Sequence, residues 1–255
     1  MEKTSNIVID AKKLCKQYKN GEVQQYVIKN MDIQIFDKDF TVFMGPSGSG
    51  KSTLLHMLSG MDQASMGEIY FRNTNFAKYS EKQLSEFRKI NCGYVFQQIH
   101  LIQNMSLMDN VLISGLLVEK NKRKVLERAK QLFQEVGLTE IEWKKYPSQI
   151  SGGQMGRTGI VRALINHPEV VFADEPTGAL DSTSGKAVLD ILTKFNHSGQ
   201  TIIMVTHDLK SALRGNRILY LKDGRISGEC ILGNYTGDLD ERKDKLLYFL
   251  EEMGW

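Results

Sequence analysis

The sequence has little cysteine, little proline and no long apolar run. Its three cysteines, Cys15, Cys92 and Cys230, lie far apart, are odd in number and form no C-x-x-C pair. That spacing excludes a disulfide framework and a zinc knuckle, and it fits a reducing compartment. No stretch approaches the roughly 18 apolar residues that a bilayer span needs. The opening MEKTSNIVID lacks the apolar core of a secretory signal. Work at a membrane would need another chain to supply the span. Charge of one sign is scarce as well. The 33 basic and 30 acidic residues leave a formal net charge of +3, too slight to mark a nucleic-acid binder, so no nucleic-acid partner is expected. What is present is ordinary globular material, 41% hydrophobic and 25% charged over 255 residues. That excludes a disordered tail, a collagen-like chain and a coiled-coil rod. A chain of this length buries a sizeable core as one large α/β domain or two modest ones.

Local patterns alternate between strand and helix. Met31, Ile33 and Ile35 alternate like a half-buried strand, and Phe40 to Met44 reads as a buried strand entering a glycine-rich turn. A helix is expected over Lys51 to Ser59, and short strands over Cys92 to Phe96, Val170 to Ala173, Thr201 to Val205 and Ile218 to Leu221. Val125, Ala129, Leu132, Phe133 and Val136 recur at helical spacing, with Gly137 as their C-terminal stop; Val188, Ile191, Leu192 and Phe195 form another stripe. Such alternation argues for a mainly parallel sheet with helices on both faces. The stretch 98–165 carries no confident strand and reads as a helical insert. All four prolines, Pro46, Pro147, Pro168 and Pro176, stand where elements should begin or end.

Two motifs carry phosphate chemistry. Gly45-Pro46-Ser47-Gly48-Ser49-Gly50-Lys51-Ser52, followed by Thr53, fits G-x-x-x-x-G-K-[ST]. Its glycines let successive N–H groups face one point, the following helix aims its positive end there, Lys51 adds a mobile charge and the Ser52 hydroxyl can ligate magnesium. Val170 to Ala173 then leads into Asp174 and Glu175. A buried strand ending in two acids presents both at the carboxyl edge of a sheet, the edge that also carries such a loop. Asp174 suits a magnesium ligand through water, and Glu175 suits a base facing an attacking water.

Together these define a P-loop NTPase. Ile150-Ser151-Gly152-Gly153-Gln154 goes further: it is similar to the LSGGQ signature of ABC-transporter ATPases, with isoleucine in the first place, and Arg157 and Arg162-Ala163-Leu164 follow at the family's spacing. The resemblance covers about residues 5 to 230. It implies a RecA-like core, an antiparallel β subdomain and a helical signature subdomain, arranged as a nucleotide-binding domain over 5–235 with the helical insert at about 98–165; beyond it, 236–255 is expected to be a C-terminal accessory helix. It implies ATP and Mg2+ sandwiched between two subunits, because one chain cannot fold Ser151 and its glycines onto its own phosphate loop. By the same resemblance Tyr18 stacks on adenine. Gln97, with Gln98 beside it as an alternative register, reaches magnesium and the attacking water. Asp181 belongs to the loop that crosses the dimer interface, and His207 is the switch histidine at the γ-phosphate. Met155 and Gly156 depart from the polar pair usual after the signature, and Gly156 and Gly159 are expected to weaken that helix by up to ~1 kcal/mol each. Asp37-Lys38-Asp39 replaces the usual glycine-containing turn before the phosphate-loop strand.

The stretch from Ala173 to Ser182, ADEPTGALDS, resembles the subgroup serving macrolide, lipoprotein and antimicrobial-peptide transporters, and most of all its bacitracin-type branch. That resemblance implies a homodimer or paired ATPase subunit, an integral-membrane permease, often a sensor kinase, and a place on the cytoplasmic face of the membrane held through the permease. Lipoprotein release, macrolide export and cell division are the alternatives within the class; a soluble ABC ATPase of DNA repair or translation is the alternative outside it. Leu246, Leu250 and Met253 share one face of a helix expected between Asp238 and Trp255.

Overall fold

The computed structural model describes residues 6–20, 23–237 and 239–255. The expected boundary at residue 5 and the expected helix start at Asp238 lie outside them. In chain order the elements are β1 (Ile7–Asn20), β2 (Val23–Phe36), β3 (Phe40–Met44), α1 (Lys51–Leu58), β4 (Met66–Phe71), β5 (Thr74–Asn75), α2 (Glu81–Asn91), β6 (Cys92–Val95) and α3 (Leu107–Gly115). There follow α4 (Lys122–Glu135), α5 (Glu140–Trp143), a 3-10 turn (Pro147–Gln149), α6 (Gly152–Leu164), β7 (Val170–Asp174), α7 (Ser182–His197), β8 (Thr201–Val205), α8 (Leu209–Ala212), β9 (Arg217–Lys222), β10 (Arg225–Ile231) and α9 (Asp240–Glu252). The chain divides into two compact units, one running to Leu84 and resuming at Thr201, the other Ser85–Gln200.

The first unit holds an antiparallel sheet ordered β2-β1-β4-β5 and the strand succession β10-β9-β3-β8. The β1–β2 ladder pairs Ile9 with Ile35, Ala11 with Ile33 and Leu14 with Met31, and its register shifts on both sides of Leu14. Lys13 takes φ 50° within the shift, so the chain bulges and the side-chain alternation slips. Strand β3 runs parallel to β8 and β9, with Phe43 opposite Val205 and Leu219, whereas β9 and β10 are antiparallel. Every residue of β3 and β8 is buried, as expected for parallel strands covered on both faces.

The second unit pairs β6 and β7 in parallel, Val95 opposite Ala173, and is otherwise helical through α3 to α6. The buried face of α4 is Val125, Ala129, Leu132 and Phe133, and Gly137 takes φ 70° just past the helix end, the left-handed stop predicted for it. Helix α7 buries Gly185, Val188, Leu189, Leu192, Thr193 and Asn196. Its inward face is therefore rotated from the predicted stripe, and Ile191 and Phe195 sit half-buried at its margin. The α/β architecture, with parallel and antiparallel sheets and a helical subdomain, is the one expected.

Candidate functional site

Each unit carries its own part of the predicted set. In the first, the parallel pairing of β3 and β8 sends the chain out of both strands at one carboxyl edge, the usual place for ligand loops in such sheets. The Thr206 N–H donates to the Phe43 carbonyl at 3.1 Å, tying the start of the histidine turn to the last residues before the phosphate loop. Thr206 is fully buried, and its Oγ1 accepts from the Asp208 N–H at 3.0 Å. His207 is held out, exposed, between those two anchors.

The phosphate loop is built as its sequence requires. Gly45, Gly48 and Gly50 take φ of 146°, 78° and 101°. A β-carbon on Gly45 would lie 2.0 Å from the Leu221 carbonyl oxygen, so that position admits only glycine. A β-carbon on Gly48 would meet nothing within 4 Å and would project into open space above the loop. Lys51 Nζ donates to the Gly45 and Pro46 carbonyls, each at 2.9 Å, which folds the ammonium over the loop. The buried Ser49 hydroxyl has no partner among the described residues. Pro46, Ser47, Gly48 and Ser52 are exposed, and Gly50, Lys51 and Thr53 are half-buried. Open space above Gly48, a charge folded across the loop and a buried hydroxyl with no partner among the described residues fit a phosphate chain. The Ser52 hydroxyl at the first turn of α1 fits a hard cation held beside it.

Tyr18 stands at the end of β1 with its ring about half exposed, and its hydroxyl donates to Asp62 Oδ2 at 2.9 Å. Lys16 Nζ donates to the other oxygen of the same carboxylate at 2.5 Å and lies 4.9 Å from the Tyr18 ring centre. Burial, then the Asp62 carboxylate, push the Tyr18 phenol pKa up. A hydrogen bond with the Thr53 side chain acts in the opposite sense and sets the Tyr18 hydroxyl beside the first turn of α1.

In the second unit, β6 and β7 also release their chains at one edge, Gln97 from the first and Asp174-Glu175 from the second. Val170 to Ala173 are buried to within 1% of complete, and both acids are half-buried. Glu175 takes φ 43°, a left-handed conformation that is costly for a residue with a β-carbon and persists where surrounding structure imposes it. The Gly178 N–H donates to the Glu175 carbonyl at 2.9 Å and closes a turn behind it. The Gln97 amide packs against Gly178.

The signature motif begins α6. Ser151 is the N-cap: its Oγ accepts from the Gln154 N–H at 3.3 Å, while Gln154 Oε1 accepts from the Ser151 N–H at 2.8 Å. This is a reciprocal capping box. Gln154 Nε2 donates to Glu142 at 2.5 Å, so its amide braces the motif instead of facing outward. At the helix N-terminus Ser151 is exposed and Gly152 half-buried, while Gly153 is buried. Gly153 and Gly156 lie against α7 and the turn before it: their β-carbons would come within 2.6 Å of Ser184 Oγ and 3.1 Å of Val188 Cγ2. The glycines that cost α6 helical propensity therefore allow its close packing. Asp181 caps α7, accepting the Thr183 and Ser184 N–H groups at 3.0 Å each. The Ser184 bonds, chiefly, hold its carboxyl below the usual range.

Three supporting residues were not singled out for this purpose from the sequence. Glu142 closes a capping box on Thr139, a T-x-x-E pattern that was there to be read. Arg157 donates to the Val136 and Gly137 carbonyls, holding α4 to α6. Arg162 donates to the Ile99 and His100 carbonyls at 2.6 and 2.9 Å, tying the chain just after Gln97 to the signature helix. A long-range bond from a side chain to backbone leaves no sequence pattern.

A strand–phosphate loop–helix, a strand ending in paired acids and a capped signature helix define a nucleotide-binding cassette. The chain belongs to the ABC transporter family, whose match covers residues 28–178, and it is an ABC transporter ATP-binding subunit. It is 43% identical over 219 residues to an uncharacterized ABC transporter ATP-binding protein of Methanocaldococcus jannaschii, covering 86% of this chain and 97% of that one. It is 40% identical to the macrolide export ATP-binding/permease protein of Pasteurella multocida over 86% of this chain, but spans only 34% of that longer protein. It is 39% identical to the bacitracin export ATP-binding protein of Halalkalibacterium halodurans, covering 86% of this chain and 87% of that one. Among solved structures it resembles a dimeric ATP-binding cassette in a post-hydrolysis state bound to ADP and Pi, with 36% identity and a TM-score of 0.79 over 89% of this chain and all of that one. No helix among the described residues is long and apolar enough to cross a membrane.

Proposed function

We propose that this chain hydrolyses ATP in a dimer and passes the resulting motion to a membrane permease that exports or removes a peptide antibiotic of the bacitracin type. The observation that carries the hydrolytic part is the phosphate loop, with Lys51 folded over it and the Ser49 hydroxyl buried and unpaired beneath. On ATP binding Lys51 exchanges the Gly45 and Pro46 carbonyls for phosphate oxygens, and the backbone N–H groups of 47–53 donate to the same oxygens. Tyr18 stacks on the base. Ser52, Asp174 and Gln97 would hold Mg2+, which would neutralise charge on the phosphate oxygens. Glu175 accepts a proton as the water oxygen bonds to the γ-phosphorus and the bond to the β–γ bridging oxygen breaks. His207 steadies the γ-phosphate through its ring N–H. Ser151 and the N–H groups of Gly152 and Gly153 complete the other subunit's nucleotide site, with Asp181 at the same interface.

Support for the dimer is the likeness to dimeric cassettes, and support for the cargo is similarity along most of a bacitracin export ATP-binding protein. The permease anchors the chain to the cytoplasmic face of the membrane, and a sensor kinase joins through it. Glu175→Gln tests the hydrolytic part: ATP binding should persist, hydrolysis should fall steeply, and ATP should lock two chains together on a sizing column. Turnover at the wild-type rate would contradict it. For the cargo, a strain lacking the chain should become more sensitive to bacitracin. Unchanged sensitivity across such peptides, with lipoproteins mislocalised or division impaired, would move it to another branch and leave the ATPase assignment standing.

A further inference from the structure

Helix α9 reaches the C-terminal end of α8, the short helix that follows the histidine turn, through Arg242. The buried Arg242 guanidinium donates through Nε to the Leu213 carbonyl at 2.7 Å, through Nη2 to the Gly215 carbonyl, and through Nη1 to the Leu232 and Gly233 carbonyls at 3.0 and 3.1 Å. The Tyr235 ring lies near both it and Arg214, with centroid distances of 5.6 and 4.5 Å. Burial pushes the Arg242 pKa down. Its partners are carbonyls and a ring, an expensive place for a cation unless its donors have a task.

The carbonyls it takes identify that task. Leu213 is the C-cap residue of α8, and Gly215 follows it. Short helices end in carbonyls with no internal partner, and a cation there both satisfies them and meets the negative end of the helix. At the other end of α8, Asp208 Oδ2 accepts from the Ser211 N–H and hydroxyl, each at 2.7 Å. His207 is the residue immediately before that cap. A helix of four residues has little stability of its own. Its placement, and that of the histidine leading into it, depends on what holds its two ends: the Thr206 bond to Phe43 and the Asp208 cap at one, and at the other Arg242 together with the Asn216 N–H on the Phe40 carbonyl at 2.8 Å. Helix α9 is itself firmly seated, with Leu246 and Leu250 fully buried, and Phe249 set edge-on to Tyr220 of β9 at 6.5 Å.

We infer that Arg242 is a positioning residue for His207, and that the C-terminal helix sets the switch through α8. This rests on the assignment of His207 to the γ-phosphate. The test is a cycle of His207→Ala, Arg242→Ala and the double variant in the full-length chain, reading kcat and KM for ATP together with the melting temperature. His207→Ala must first lower kcat; if it does not, the assignment of His207 fails before the inference is reached. Arg242→Ala should then lower kcat by roughly ten- to a hundredfold, the cost of a misplaced group, with KM within about twofold. In the His207→Ala background the same change should cost nothing further. Additive losses, or a lowered melting temperature with full kcat, would overturn the inference. Arg242→Lys keeps the charge without the planar fork and guards against loss of the fold. It should melt near the wild type, lower kcat in part, and shift the imidazole resonance of His207 in histidine-labelled protein. An unmoved resonance would overturn it equally.

Discussion

A β-carbon on Gly178 would stand 2.8 Å from Nε2 of Gln97. The glycine that follows Glu175-Pro176-Thr177 thus makes room for the amide expected to reach magnesium. Gly178 needs no special φ, so Gly178→Ala should fold and melt like the wild type while displacing the flexible end of Gln97. ATP hydrolysis should drop, with ATP binding little changed. A variant with unaltered kcat would show that the Gln97 amide works from some other position.

Helix propensity alone predicts that Gly156→Ala would stabilise the chain by up to ~1 kcal/mol. The structure predicts otherwise. The added methyl would come within 3.1 Å of Val188 Cγ2 and 3.3 Å of Leu180 Cδ1, so these neighbours must yield, and α7 carries both Val188 and the Asp181 cap. The expected outcome is no gain in stability by denaturant titration, with hydrolysis reduced through a displaced signature helix. A clear gain with full activity would mean that the α6–α7 contact has slack.

Asp62 gives a pH dependence of known sign. Burial disfavours its charged form, but the hydrogen bonds from Lys16 and Tyr18 outweigh it, and the carboxyl is held below its ordinary range. A depressed carboxylate contributes stability that is fully present above its unfolded pKa and is lost as pH falls through the folded value. Acidification below the usual carboxylate range should therefore loosen the Tyr18 ring, read as tyrosine fluorescence or as weakened binding of adenine nucleotides. Asp62→Asn should remove that acid dependence. An identical acid profile in the variant would assign the effect to another group.

What the sequence disclosed follows from how far each signal reaches. Phe40 to Met44 and Thr201 to Val205 were legible to the residue because parallel strands buried on both faces are continuously apolar. The loop from Gly45 to Ser52 was legible because its glycines answer to backbone angles that no other residue adopts cheaply. Strand β1 was not, since the bulge at Lys13 breaks the period of two that would have revealed it. Helix α2 buries only Leu84 and so shows no stripe. The α7 stripe was read one position off because polar Thr193 and Asn196 occupy its buried face. The braces at Arg162 and Arg242 were invisible, for their partners are carbonyls brought near by the fold, and a carbonyl is the same at every residue.

The central claim, that two chains build each nucleotide site together, is tested most directly by mixing two inactive variants. Lys51→Ala removes the phosphate-loop cation, and Ser151→Arg blocks the signature donor with bulk. Neither should hydrolyse ATP alone. In a mixed dimer the two lesions meet in one composite site and spare the other, so mixing equal amounts should restore a fraction of wild-type hydrolysis, rising to a maximum near equal proportions. If the mixture stays as inactive as its components while mixed dimers are demonstrably formed, each chain uses its own signature and the shared-site account is wrong.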